Sequence, residues 1–326
     1  MDSVPCDFID KVLINLKPRY YCEFANFESP NWRSRATVHE KKIQKYQLEL
    51  NPCAGGLRYK FSHAVPPGQT GRKLTFDQML TKDARFHRIH NIEFGWLGAE
   101  EDISGVIPLE RVPQFMDYLD GFRVEHTMIH GAGTEHQRMT FVDALTTNLK
   151  TRVLAVHAES PGWETFLTEQ LKNEELEDLE FYSHLAWPTE FGAKIEAFVC
   201  RPGFSNLYCS AYRCFDMENI KRIIDYWKNL DKPWPTATIE LPGGQLKEEE
   251  FATWMSPSKR TGKQFVVKNG LYIAHVSFYP FPGEHKCKLE FKKKVVPQKR
   301  AIASTSKGRG GPRRLGGFWR PFRNLL

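Results

Sequence analysis

Apolar residues recur at helical spacing at the start of the chain. Phe8, Val12 and Leu16 lie at i, i+4 and i+8, with Ile9 and Leu13 beside them, which predicts a helix with one wide apolar face. Pro5 suits its first turn, Ser3, Asp7 and Asp10 supply cap and dipole-compatible charge, and Lys17-Pro18 ends it, because the residue before a proline avoids helical backbone. From 19 to 74 the pattern alternates. Ile43 to Leu50 and Leu57 to Phe61 read as short strands around the turn-forming run Asn51 to Gly56. Ala64 to Lys73, rich in Pro and Gly, reads as a loop closing this region.

From about 75 to 280 a third rhythm recurs: a helical segment, a turn, a short strand. Aligned on their last inward-looking position, the strands fall at Phe94, Ile129, Val156, Phe181, Cys209, Leu241 and Phe278, spaced by 35, 27, 25, 28, 32 and 37 residues. The skeleton apolar-x-x-apolar-x-apolar appears in Ile89/Ile92/Phe94, Leu176/Leu179/Phe181 and Phe204/Leu207/Cys209. Helices are predicted at Val112 to Leu119, Phe141 to Leu149, Trp163 to Leu171, Met217 to Leu230 and Glu248 to Met255. The expected fold is α/β, an irregular leucine-rich-repeat-like strand-helix solenoid in which each unit buries its apolar face on its neighbours. A non-repetitive α/β or α+β sheet is the competing arrangement.

Charge divides the chain. Residues 286–326 hold thirteen Lys or Arg against one acid, Glu290, while residues 1–285 carry a net charge of −5. A basic, Gly- and Pro-rich tail is therefore expected from 286, after a helix (1–18), a β-rich connector (19–74) and the repeat-like region (75–285). The body offers no basic footprint for nucleic acid; the tail could contact phosphates, with Trp319 stacking on a base. No apolar window is long enough to span a bilayer. Seven scattered cysteines and an acidic N-terminus lead to the expectation of an intracellular protein, cytoplasmic or nuclear.

Motifs for chemistry are sparse. The chain has no G-x-S-x-G elbow, Walker loop, dinucleotide fingerprint or H-E-x-x-H. The stretch His130 to His136, HGAGTEH, is the best candidate for catalysis, with Glu135 between two histidines in a Gly-rich turn; a solvated loop is the plainer reading. Cys200, Cys209, Cys214 and His184 lack the paired spacing of zinc knuckles and read as core residues. No cofactor or metal is expected.

The opening Met1-Asp2-Ser3-Val4-Pro5, followed by Phe8, Ile9, Val12, Leu13 and Leu16, resembles the first part of an F-box as found in a nematode-type group of F-box-like proteins. The later strand-helix rhythm looks like the F-box-associated regions of such proteins. Ser29-Pro30 falls where that box needs its second helix. The resemblance implies a non-catalytic adaptor of a cullin-type ubiquitin ligase. Val4, Pro5, Phe8, Ile9, Val12, Leu13 and Leu16 would meet a Skp-type subunit, and the repeat region would meet a target protein.

Overall fold

The computed structural model describes residues 4–15, 23–24, 26–53, 55–65, 71–83, 86–95, 104–120, 122, 124–130, 149–157, 163–182, 188, 190–210, 215–231, 234, 236–242, 246, 248–253, 255–257, 264–281 and 284–293. All of them belong to one compact unit, Met1–Lys294.

The predicted N-terminal helix is α1 (Cys6–Asn15), whose Ile9 and Leu13 are buried against a helix that the alternating pattern concealed, α2 (Pro30–Lys42). Ser29-Pro30 does not break this helix but begins it. A proline in the first turn gives up an N–H that has no intrahelical acceptor, and its fixed φ suits the helix. Ile9 and Leu13 are fully buried with Trp32 and Ala36. Between the helices Asp10 receives two bonds from the Arg35 guanidinium and one, at 3.0 Å, from His39 Nε2. Burial would raise the Asp10 carboxyl, but these donors outweigh it and hold it below the ordinary carboxylate range. Arg88 donates at 3.0 Å to the carbonyl of Ile14 and so fastens the end of α1 to the sheet. Asp10→Asn keeps the shape and removes the charge. It is expected to cost about 2 kcal/mol, the scale of bonds to a charged group, and to speed hydrogen exchange of the α1 amides ahead of the sheet amides.

The rest is one sheet with helices. In chain order it comprises β1 (Gln44–Cys53), β2 (Gly56–His63), β3 (Lys73–Leu74), α3 (Phe76–Leu80), β4 (His87–Phe94), β5 (Gly105–Pro108), α4 (Val112–Asp120), β6 (Val124–Ile129), β7 (Thr151–Val156), α5 (Glu164–Lys172) and β8 (Asp178–Phe181). Then come α6 (Phe191–Val199), β9 (Asn206–Cys209), α7 (Met217–Lys228), β10 (Thr236–Pro242), α8 (Glu248–Ala252), β11 (Ser256–Pro257), β12 (Gln264–Asn269), β13 (Tyr272–Phe281) and β14 (Glu284–Lys293). The strand order is β11-β12-β13-β14-β10-β9-β8-β7-β6-β4-β1-β2-β3, with β5 also on β2. The centre, β1-β4-β6-β7-β8-β9-β10, is parallel, and both ends are antiparallel.

This corrects the expected leucine-rich-repeat-like solenoid. A solenoid adds one parallel strand per repeat to its end, whereas this sheet is finished on both sides by antiparallel hairpins. The strand after β10 is not the one that carries Phe278. β14 inserts there, so Leu241 faces Cys287, and Phe278 faces Cys287 from the far side. β14 also takes in residues that charge alone assigned to the tail. Its Cys287, Leu289 and Phe291 are fully buried, alternating with lysines and Glu290 on the other face.

The aligned apolar positions of the parallel strands share one row: Phe94 opposes Ile129, then Val156, Phe181 and Cys209 in turn. They form one core with Phe115 of α4, Phe166 of α5, Ile195 and Phe198 of α6 and the Ile220/Ile223/Ile224/Trp227 stripe of α7. The helices thus cover this face of the sheet. α7 starts at a reciprocal cap, in which the Asp216 carboxylate accepts from the Asn219 amide and the Asn219 side chain accepts from the Asp216 amide. Arg201, half-buried after α6, closes the α5–β8 turn by donating to the carbonyls of Leu171, Asn173 and Leu176. The α6 segment FGAKIEAFV was missed in the sequence, and the predicted helix Phe141 to Leu149 lies, but for Leu149, outside the described residues.

Candidate active site

Side chains of a strand alternate between faces, so each residue beside the buried row projects to the second face of the sheet. One step beyond the row the parallel ladder continues by backbone bonds. His130 N donates to Phe94 O (2.8 Å), His157 N to Ile129 O (2.7 Å), Tyr182 N to Val156 O (2.9 Å) and Ser210 N to Phe181 O (2.8 Å). These four residues are therefore placed by main-chain register, at the carboxyl ends of β6, β7, β8 and β9. The carboxyl edge of a parallel sheet is where open α/β proteins hold ligands. The equivalent residue after β4 is Gly95, whose φ of 84° suits a residue without a Cβ, so no side chain continues the line there.

The rings stack across the strands. His130 lies 5.0 Å from His157, His157 lies 4.3 Å from Tyr182 with the two planes only 2° apart, and Tyr182 lies 5.2 Å from Tyr208. Tyr208 sits one residue earlier in register, opposite Glu180 on β8 and Glu240 on β10. Tyr182 donates to Glu180 Oε2 at 2.8 Å. Lys286 of β14 donates from Nζ to the Tyr208 hydroxyl at 2.8 Å, lies 4.6 Å from that ring and 3.7 Å from the Glu240 carboxylate, and is only 1% exposed. A line of imidazole and phenol thus runs over four strands and ends on a buried ammonium.

The environment sets the charge states. His157 is exposed at its edge, but its neighbours cover the faces of its ring. Lost hydration lowers its pKa, His130 lowers it further, and Glu180 opposes. Burial likewise lowers His130. Burial raises the Tyr182 phenol, helped by its bond to Glu180, and raises the Tyr279 phenol, helped by Glu240. At neutral pH the row therefore holds two uncharged imidazoles, proton acceptors beside the protonated Tyr182 phenol.

Of the catalytic candidates in His130 to His136, the structure brings His130 into this row; Glu135 and His136 lie outside the described residues. His157, Tyr182, Tyr208 and Lys286 were missed. The sequence did carry a signal: His130, His157 and Tyr182 each follow an aligned inward position by one residue. Lys286 had none, because its place depends on where β14 inserts. Cys209 is buried in the core, Cys200 is half-buried with its thiol pushed up to about 11 by burial, and Cys214 and His184 are outside the described residues. Among the described residues no three His, Cys, Asp or Glu are grouped to hold a metal ion, and no helix is long and apolar enough to cross a membrane. Residues 294–326, the rest of the tail expected to meet nucleic acid, are also outside the described residues.

The residues expected to bind a partner subunit are dispersed. Ile9 and Leu13 are fully buried, Val4 and Val12 are half-buried against them, Pro5 is exposed, Phe8 is 54% exposed, and Leu16 lies outside the described residues. No family model matches the chain, and no curated protein does. Two aligned solved structures are both of the MycE methyltransferase from the mycinamycin biosynthetic pathway. One holds Mg, SAH and mycinamycin VI (TM-score 0.20, 11% identity, 90% of this chain and 93% of that one). The other holds Mg and SAH (TM-score 0.21, 10% identity, 90% and 94%). Alignments this loose carry neither that enzyme's fold nor its chemistry to this chain. The geometry does bear on the expected non-catalytic adaptor of a ubiquitin ligase, and that expectation is corrected: the central apolar residues of α1 are spent inside the chain, and ionisable side chains converge on the sheet.

Proposed function

We propose that the protein is an enzyme whose chemistry is proton transfer, with His157 as the base. The observation that carries this reading is an exposed, uncharged imidazole at the carboxyl end of a parallel strand, held parallel to Tyr182 at 4.3 Å. Stacking on both faces fixes the ring plane and leaves its nitrogen edge toward solvent and substrate. Tyr182, in turn, is oriented by its bond to Glu180. A positioned base of this kind contributes about 10²–10⁴ in rate.

The test uses D₂O. A small-molecule extract incubated with the protein is analysed by mass spectrometry for metabolites that take up deuterium. His157→Ala, at an exposed position, leaves the fold intact and is expected to slow that uptake about a hundredfold. Equal labelling by the two proteins excludes His157 as the base. Because the folded His157 pKa lies below the ordinary value of about 6.5, the rate is expected to be flat above neutrality. It should fall on acidification with a midpoint below that value.

A further inference from the structure

We infer that Tyr208, held by Lys286, is the proton donor of the same site. This assignment rests on the proton-transfer reading above and names its acid. The Tyr208 oxygen accepts a bond from the Lys286 ammonium at 2.8 Å, and a phenol that accepts in this way keeps its own O–H to give away. After donation, the phenolate sits against an ammonium that is 1% exposed, where water screens the attraction little. Lys286 is itself held from two sides, by Glu240 at 3.7 Å and by the face of the Tyr208 ring at 4.6 Å. A lysine is costly to bury, and its charge is matched here by Glu240.

β7 and β9 flank β8, so the base and the acid stand two strand spacings apart, about 10 Å at the backbone. A substrate bridging Tyr182 meets an imidazole at one end and a phenol at the other. The step balances without a further reactant. A C–H or O–H bond of the substrate breaks as an N–H bond forms on His157. The Tyr208 O–H breaks as a proton joins a substrate oxygen, either a carbonyl or a departing hydroxyl. The enzyme is left with imidazolium and phenolate, and water returns the proton from one to the other. The substrate class is a carbonyl or hydroxyl compound that tautomerises or eliminates. Lys286 acts through Tyr208 and is a positioning residue.

The test needs no substrate. The full chain is treated with benzenesulfonyl fluoride, which forms an S–O bond with a phenolate as fluoride leaves, and the modified tyrosines are mapped by mass spectrometry. Tyr208 is expected to be modified, and Lys286→Met is expected to cut that modification at least fivefold while Tyr272 is unchanged. Where Lys286→Met fails to fold, Lys286→Gln, which keeps a donor in place, is expected to show the same fall. An unmodified Tyr208, or equal modification in the folded Lys286 variant, overturns the assignment. In the D₂O assay Tyr208→Phe is expected to lose at least tenfold in rate. An unchanged rate removes Tyr208 as the acid while leaving His157 as the base, whereas failure of the His157 reading leaves the labelling result to stand by itself.

Discussion

Replacing Trp227 by alanine is expected to destabilise the protein by about 3–5 kcal/mol, the cost of emptying a large aromatic site in a packed core. Trp227 is fully buried on α7, at the end of the stripe Met217, Ile220, Ile223 and Ile224. Its ring lies 5.3 Å from Phe291 of β14, which in turn lies 4.9 Å from Trp234. The cavity therefore opens where the central parallel sheet meets its antiparallel end. Domains are stable by only about 5–15 kcal/mol, so the loss is a large share of the total. Urea denaturation should show the midpoint falling, and hydrogen exchange should quicken in β14 before it does in β7. Glu218→Gln, on the solvent side of the same helix, breaks only the exposed pair with Lys221 and should leave the midpoint unchanged. If Trp227→Ala matches that control, the burial of α7 on the sheet is wrong.

Acidification from pH 7.5 to 5.5 is the second large effect. His39, His63, His87, His126, His130, His157 and His275 all have pKa values lowered from the ordinary value, each chiefly by burial. The unfolded chain takes up protons on these residues near pH 6.5, while the folded chain resists until lower pH. Their stabilising contribution is thus complete above about 6.5 and is lost as pH falls toward the folded values. A histidine kept neutral contributes a slope of at most about 1.4 kcal/mol per pH unit. His39 and His87, both buried, are the least screened, and the more exposed ones contribute less. The melting temperature should drop by several degrees over this range, and His39→Gln should flatten the profile. Carboxylates with lowered pKa values, such as Asp10, Glu125 and Glu196, act in the same direction only at lower pH. A profile flat between pH 7.5 and 5.5 contradicts the burial of these rings.

How far the chain was legible differs element by element. Met217, Ile220, Ile223, Ile224 and Trp227 marked α7 because a helix with one buried face must repeat near every 3.6 residues. Phe94, Ile129, Val156, Phe181 and Cys209, aligned by pattern, do share a row in the sheet. α2 was illegible: its buried Trp32, Ala36 and His39 do lie at helical spacing, but a small and a polar residue in that row leave no apolar stripe to read. β14 was hidden by its lysines, whose charge mimics a tail, although the residues between them are wholly buried. The site was half visible. His130 stood out among Gly residues, but it was valued for its neighbours in sequence, Glu135 and His136, rather than for those in space.

Local patterning therefore determined α1, α7 and the parallel strands and which side of each faces the core, since both follow from the period of the apolar residues. The order of the strands was decided only by the tertiary structure. Nothing local tells β14 to enter beside β10, and long-range backbone pairing alone puts Lys286 on Tyr208, 78 positions earlier in the chain. The same pairing lays His130, His157, Tyr182 and Tyr208 ring against ring. Their sequence separations, 27, 25 and 26 residues, reflect one strand per unit, but only the pairing of those strands side by side brings the rings within stacking distance, because hydrogen bonding fixes the gap between strands at about 5 Å.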